Sequence, residues 1–182
     1  PTNQVLCGGL AYSPVVPPSE RRLRWHYGRQ REVVSVVDRF AHPYEAFKTS
    51  NFAMPRDRFL AIGFRETIRA YGHEDTLFGA DLAERNLPIF HLDNPVVHLG
   101  LETNEVFLAK TKEAIANLVA LKQQGVGVPS RLGRTYARFK SLGLAAVLAL
   151  SSTWLVPMLE KRLLRYPYQI RILDVIKLLH YS

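Results

Sequence analysis

Two carboxylates, Glu74 and Asp75, follow Gly72 and His73 at the head of a run with helical spacing. Phe78 and Leu82 lie four apart on one face of that run, and Asp81 and Arg85 pair four apart on the other. Carboxylates at a helix N-terminus sit in a favourable field that keeps them ionised. An ionised, oriented carboxylate beside a glycine turn can take a proton as a general base. Acidic residues in a first helical turn are also ordinary capping chemistry. The stretch from Arg69 to Gly79 leaves both roles open.

Three other places carry candidate chemistry. Gly8 and Gly9 interrupt the apolar run Val5 to Tyr12, where another strand or a ligand can approach the backbone closely. Arg21 to Arg31 interleaves arginines with Trp25 and Tyr27. Such a segment binds sugar, phosphate or nucleic acid, or forms a solvated basic loop with Trp25 anchored in the core. His98 falls where a short strand meets a loop, as a metal ligand or as a satisfied polar residue. The sequence has no Walker loop, G-x-G-x-x-G, G-x-S-x-G or His-Glu-x-x-His.

The elements that must position these residues are those of an α/β protein. Val5 to Tyr12 reads as a buried strand. Glu32 to Phe40 reads as a short helix with Val33, Val36, Val37 and Phe40 on one side. Ala46 to Met54 alternates as a strand, and Pro55 suits the first turn of a helix through Leu60. A helix from Glu74 to Asn86 leads to short strands at Ile89 to Leu92 and Val96 to Leu99, joined through the Asp93-Asn94-Pro95 turn. Thr103 or Asn104 caps a long helix to Gln124, with Phe107, Thr111, Ala114, Ile115, Leu118 and Leu121 facing inwards. Gly125, Gly127 and Pro129 end it. The expected division is a domain over 1–128 and a basic helical tail over 129–182.

The net charge of +8 is concentrated in that tail. From Arg131 onward nine basic residues face only Glu160 and Asp174, an excess of seven, which favours an anionic surface. Ser141 to Leu159 is uncharged, but Gly143, Ser151, Ser152, Thr153 and Pro157 dilute it. A helix lying in a membrane interface fits this composition better than a span. Tyr168 to Tyr181 reads as a final amphipathic helix with Ile172, Val175, Ile176 and Leu179 inwards. A single cysteine, Cys7, excludes a disulfide framework. The chain opens at Pro1 with no signal-peptide pattern, so a fragment of a longer chain is expected.

Gly8-Gly9, Leu23-Arg-Trp-His-Tyr-Gly28, Asn51-Phe52, Tyr71-Gly-His-Glu-Asp75 and Asp93-Asn-Pro-Val-Val-His98 occur in one order. That ordered set, spread over Val5 to Gln124, resembles the C-terminal half of family 2 glycosyltransferases with the GT-A fold. It is most similar to the bacterial enzymes that build surface polysaccharides. The resemblance implies a partial GT-A fold, with a small mixed sheet, helices and a C-terminal helical tail. It implies transfer of a sugar, with inversion, from a nucleotide-sugar donor to the hydroxyl of a glycan or lipid-linked acceptor. Asp75 takes the general base position, and Glu74 orients the acceptor or Asp75. Gly8, Gly9, Trp25, Asn51 and His73 fall in the substrate-binding set. His98 matches a metal ligand, and the implied metal is Mn or Mg.

The sequence departs from the family in having no Asp-x-Asp metal motif. It is expected to be the acceptor half without the donor-binding half, inactive alone. The implied location is cytoplasmic and peripheral at the inner membrane, with contact through 131–182 and no nucleic acid partner. The competing expectation is a basic module without chemistry that binds a membrane surface or nucleic acid.

Overall fold

A computed structural model describes residues 4–65 and 71–182 of the chain. In chain order the elements are β1 (Val5–Cys7), β2 (Leu10–Ala11), α1 (Arg22–Tyr27), α2 (Val36–Ala41), β3 (Phe52–Ala53), α3 (Arg56–Ile62) and α4 (Glu74–Glu84). There follow β4 (Ile89–His91), β5 (Val96–Val97), α5 (Asn104–Gln123), α6 (Arg131–Ser141), α7 (Ala145–Arg165) and α8 (Ile170–Tyr181). Short strands among many helices make this a mixed α/β protein. They fall into two compact units, one of residues 1–15 with 28–100, the other of 16–27 with 101–182. The expected boundary near residue 128 coincides with neither limit, because α5 packs on α8 and so belongs with the tail.

The first unit is built on a three-stranded mixed sheet, β3-β1-β4. Strand β1 runs antiparallel to β3 and parallel to β4. Beside it, β2 and β5 pair in parallel. The single strand expected over Val5 to Tyr12 is thus two, broken at Gly8-Gly9. The Gly8 N–H donates to the Asn51 carbonyl at 2.9 Å, one step beyond the Cys7 and Phe52 pair. Val5, Cys7 and Ile89 turn inward onto Phe47, Phe78, Leu82 and Leu87. The other face of β1 and β4 is open, with Leu6 and Phe90 in register and both exposed.

Three sequence expectations fail here. Only Phe52–Ala53 of Ala46 to Met54 is strand, because Thr49–Asn51 turns as a 3₁₀ helix whose polar groups bond elsewhere. Helix α2 is inverted. Val37 and Phe40 are exposed at 74% and 49%, and Arg39 is the buried residue at 4%. The Cys7 and Leu92 carbonyls accept from its guanidinium, which apolar spacing cannot reveal. The expected helix after Pro55 is present as α3. Asp81 does not pair with Arg85 through its side chain. Its carboxylate takes both arms of Arg65, and Arg85 reaches only the Asp81 backbone carbonyl.

In the second unit α8 is the central helix, packed against α5, α6 and α7. The expected face of α5 is buried or half-buried throughout. Thr103 caps it, accepting from the Val106 N–H. Asn104 instead holds the start of α1, accepting from the Leu23 N–H at 2.8 Å and donating to the Ser19 carbonyl at 3.0 Å. The inward row of α8 is Ile170, Leu173, Ile176 and Leu179, and Val175 is 45% exposed rather than inside. The uncharged stretch begins at the bend between α6 and α7 and continues along α7. Among the described residues, no single helix is long and apolar enough to cross a membrane.

Candidate functional site

The position of Asp75 follows from packing one turn further along α4. Phe78 is buried against the rings of Phe47, Phe52, Phe59 and Phe64, with centroids 5.0 to 6.1 Å away. Each such aromatic pair adds about 0.5–1.5 kcal/mol beyond area burial. Gly79 lets the chain at Tyr44 lie on the helix, since a Cβ there would come within 2.4 Å of the Tyr44 carbonyl oxygen. The segment from Tyr44 to Phe47 is thereby clamped on α4, and the next two residues reach the helix N-terminus. There Asp75 Oδ1 accepts from the Thr49 N–H at 3.0 Å and the Thr49 hydroxyl at 2.5 Å. Lys48 Nζ stands 3.4 Å from Oδ2.

Neither candidate carboxylate closes its own helix in these contacts. Asp75 reaches across to Thr49, whereas Glu74 accepts from the Gly72 N–H at 3.1 Å and so holds the turn before α4. His73 is the residue at the helix start and has a left-handed backbone, with φ of 77°. That conformation is costly for a residue with a Cβ. Arg69 and Ala70, which open this stretch in sequence, lie outside the described residues.

The turn that meets Asp75 at Thr49 meets the glycine pair at Asn51. The Asn51 amide donates to the Gly9 carbonyl at 3.1 Å and to the Asn94 carbonyl at 2.9 Å. A Cβ on Gly8 would lie 2.1 Å from that amide nitrogen and 2.5 Å from the Asn94 oxygen. The close approach expected at the glycines is therefore made by Asn51 and Asn94. One three-residue turn ties the Asp75 carboxylate, Gly8-Gly9 and the Asp93-Asn94-Pro95 turn into a single cluster of the first unit.

No protein-family model, no curated protein and no solved structure matches this chain. The site is therefore argued from its own residues.

Beneath Gly9 lies Arg39, which sequence reasoning missed. Its guanidinium donates to the Cys7 carbonyl at 3.2 Å and the Leu92 carbonyl at 2.9 Å, tying β1 to the end of β4. It also faces His91 Nδ1 at 3.4 Å, while His91 Nε2 lies 3.0 Å from the Pro43 carbonyl. These neighbours suit a neutral imidazole whose Nε2–H donates to Pro43 and whose Nδ1 accepts from Arg39. Burial pushes the His91 pKa below 6.5; the Pro43 hydrogen bond opposes this and the Arg39 charge adds to it. Burial also pushes the Cys7 thiol up, out of the range of a reactive thiolate. Arg39 lies beside Asp38 at the end of a valine-rich run, where a charge on a short helix reads as ordinary surface.

His98 stands apart from this network of contacts, just past β5. Its N–H donates to the Ala11 carbonyl at 2.9 Å, and its ring lies 5.4 Å from that of Tyr12. Tyr12 in turn needs Gly28, where a Cβ would fall 2.0 Å from the phenol ring. The His98 Nε2 atom is buried and has no hydrogen-bond partner among the described residues. Among the described residues, no group of three His, Cys, Asp or Glu side chains could hold a metal. Trp25 belongs to the other unit and is buried at 5% exposure, with its ring against His26. It is a core anchor, without an open face on which a sugar could stack.

Proposed function

We propose that this chain carries the acceptor side of an inverting glycosyltransferase of the GT-A kind, using a nucleotide-sugar donor in glycan or polysaccharide biosynthesis. The observation that carries the reading is the Thr49–Asn51 turn, bonded to Asp75 at one end and to Gly9 and Asn94 at the other. It fixes an oriented, half-exposed carboxylate on the same turn that packs against the Gly8-Gly9 backbone, and a general base needs such orientation. Asp75 takes the proton of the acceptor hydroxyl as that oxygen bonds to the anomeric carbon of the donor. The bond to the nucleoside diphosphate breaks, and the diphosphate leaves with the electron pair. Thr49 holds Oδ1, which leaves Oδ2, 3.4 Å from Lys48 Nζ, as the oxygen that takes the proton.

A divalent cation, Mn or Mg, would neutralise the leaving diphosphate. His98 offers one imidazole to it, and the oxygen ligands would come from a donor-binding half. The open apolar face at Leu6 and Phe90 supports such a half, since a sheet face of this kind is normally covered by another layer. The test joins this chain to a donor-binding half and offers uridine, guanosine and thymidine diphosphate sugars with a panel of oligosaccharide acceptors. Mass spectrometry should find one added sugar for a particular donor and acceptor. The chain alone should bind that acceptor but not the donor. No transfer with any pair, and no glycan bound by the chain alone, overturns the reading.

A further inference from the structure

We propose that α6 and α7 form a docking surface for an anionic lipid bilayer. This inference rests on the second unit alone and is independent of the reading of the Asp75 site. Helix α7 has two apolar faces. One, with Val156 at 8% exposure and Leu163 at 0%, belongs to the core of the unit. The other is bare: Val147, Leu150, Trp154 and Met158 are 59%, 76%, 63% and 55% exposed. These residues are three or four apart and form one stripe along the helix. The same stripe continues into Lys161 and Arg165, both exposed. At the bend before α7, Leu142 and Leu144 are also exposed.

Helix α6 adds the charge. Arg131, Arg134 and Arg138 are exposed at the same spacing, with Lys140 beside them. From Arg131 to Arg165 there are seven basic residues and one acid, Glu160. That carboxylate is engaged by Lys112 at 3.0 Å and faces His180 at 3.6 Å. A bare apolar stripe carrying a Trp, with basic residues at both ends, is the pattern of a helix lying in a bilayer interface. The aliphatic residues enter the acyl boundary while Arg and Lys meet anionic headgroups. The two helices meet at a 117° bend, and neither alone is long and apolar enough to cross a membrane.

Two other occupants fit less well. A second copy seated on the same surface would bring seven like charges against seven, which opposes a self-complementary interface. Single-stranded nucleic acid is held by aromatics interleaved with basic residues. Here the bare stripe is aliphatic apart from Trp154.

The experiment uses the full chain and vesicles of phosphatidylcholine, with or without about one third phosphatidylglycerol. Trp25 is buried, so a blue shift of the tryptophan emission on binding reports Trp154. The protein should float with the anionic vesicles, show the blue shift, and release at high salt. Each basic residue near the surface adds about fivefold to partitioning, so R131Q/R134Q/R138Q should weaken it by on the order of a hundredfold. L150S/W154S alters only exposed residues, so it should leave the thermal melt unchanged and abolish flotation. Equal recovery on neutral and anionic vesicles overturns the proposal. So does absence of flotation with sedimentation showing a dimer that L150S/W154S dissociates, or with binding to single-stranded RNA.

Discussion

Replacing Asp75 by Asn separates its two possible roles, because the structure shows which contacts the amide keeps. Asn retains an oxygen where Oδ1 accepts from the Thr49 N–H and hydroxyl, so the turn holding Gly9 and Asn94 stays in place. What is lost is charge. The Lys48 pair spans 3.4 Å with side chains 38% and 31% exposed, and at that exposure it contributes about 0.2–1 kcal/mol. Weakening two charge-assisted hydrogen bonds to neutral ones costs roughly 1 kcal/mol more. The Asn variant should therefore lose about 1–2 kcal/mol in urea denaturation and remain folded. Its transfer rate, with a donor-binding half joined, should fall by about a hundredfold to ten-thousandfold, since the proton acceptor is gone. Donor affinity should be unchanged. If the folded Asn protein transfers sugar within a few-fold of the parent, Asp75 is a structural ligand of Thr49 and the reasoning above is wrong.

Gly8→Ala places a methyl group 2.1 Å from the Asn51 amide, so it should cost about 2–4 kcal/mol of stability, read by urea denaturation, and abolish acceptor binding. His73→Gly relieves a left-handed residue but frees the unfolded chain, so stability should hold or rise by up to about 1 kcal/mol. If His73 touches substrate, the same variant should raise KM for the acceptor. For His91 the folded pKa is depressed, so between 6.5 and that lower value the unfolded chain binds more protons. Its contribution to stability is present above that window and is lost as pH falls through it. His91→Gln, which can keep both hydrogen bonds without titrating, should lose less stability on acidification, read as denaturation midpoints at about pH 7.5 and pH 5.

The sequence by itself determined the elements whose signals are local. Thr103, the apolar row of α5 and the glycines beyond it define a helix by spacing and capping alone. Pro55 and the run from Glu74 do the same for α3 and α4. Gly8 and Gly9 were legible as a place of close approach, because a missing side chain is itself a signal. Tertiary structure alone decided what approaches there. Asn51 and Asn94 do, from segments more than forty residues away, and no local pattern encodes that meeting. It also decided that α2 turns Arg39 inward and leaves Val37 and Phe40 outside. Periodicity ranks side chains by hydrophobicity, and it cannot count the carbonyls of Cys7 and Leu92 that stabilise a guanidinium. Asp75 stands between the two cases. Its place at a helix start follows from sequence, but its partner does not. Thr49 reaches it only because Phe78 and Gly79 hold the chain at Tyr44 to Phe47 against α4, and packing of that kind exists only in the folded state.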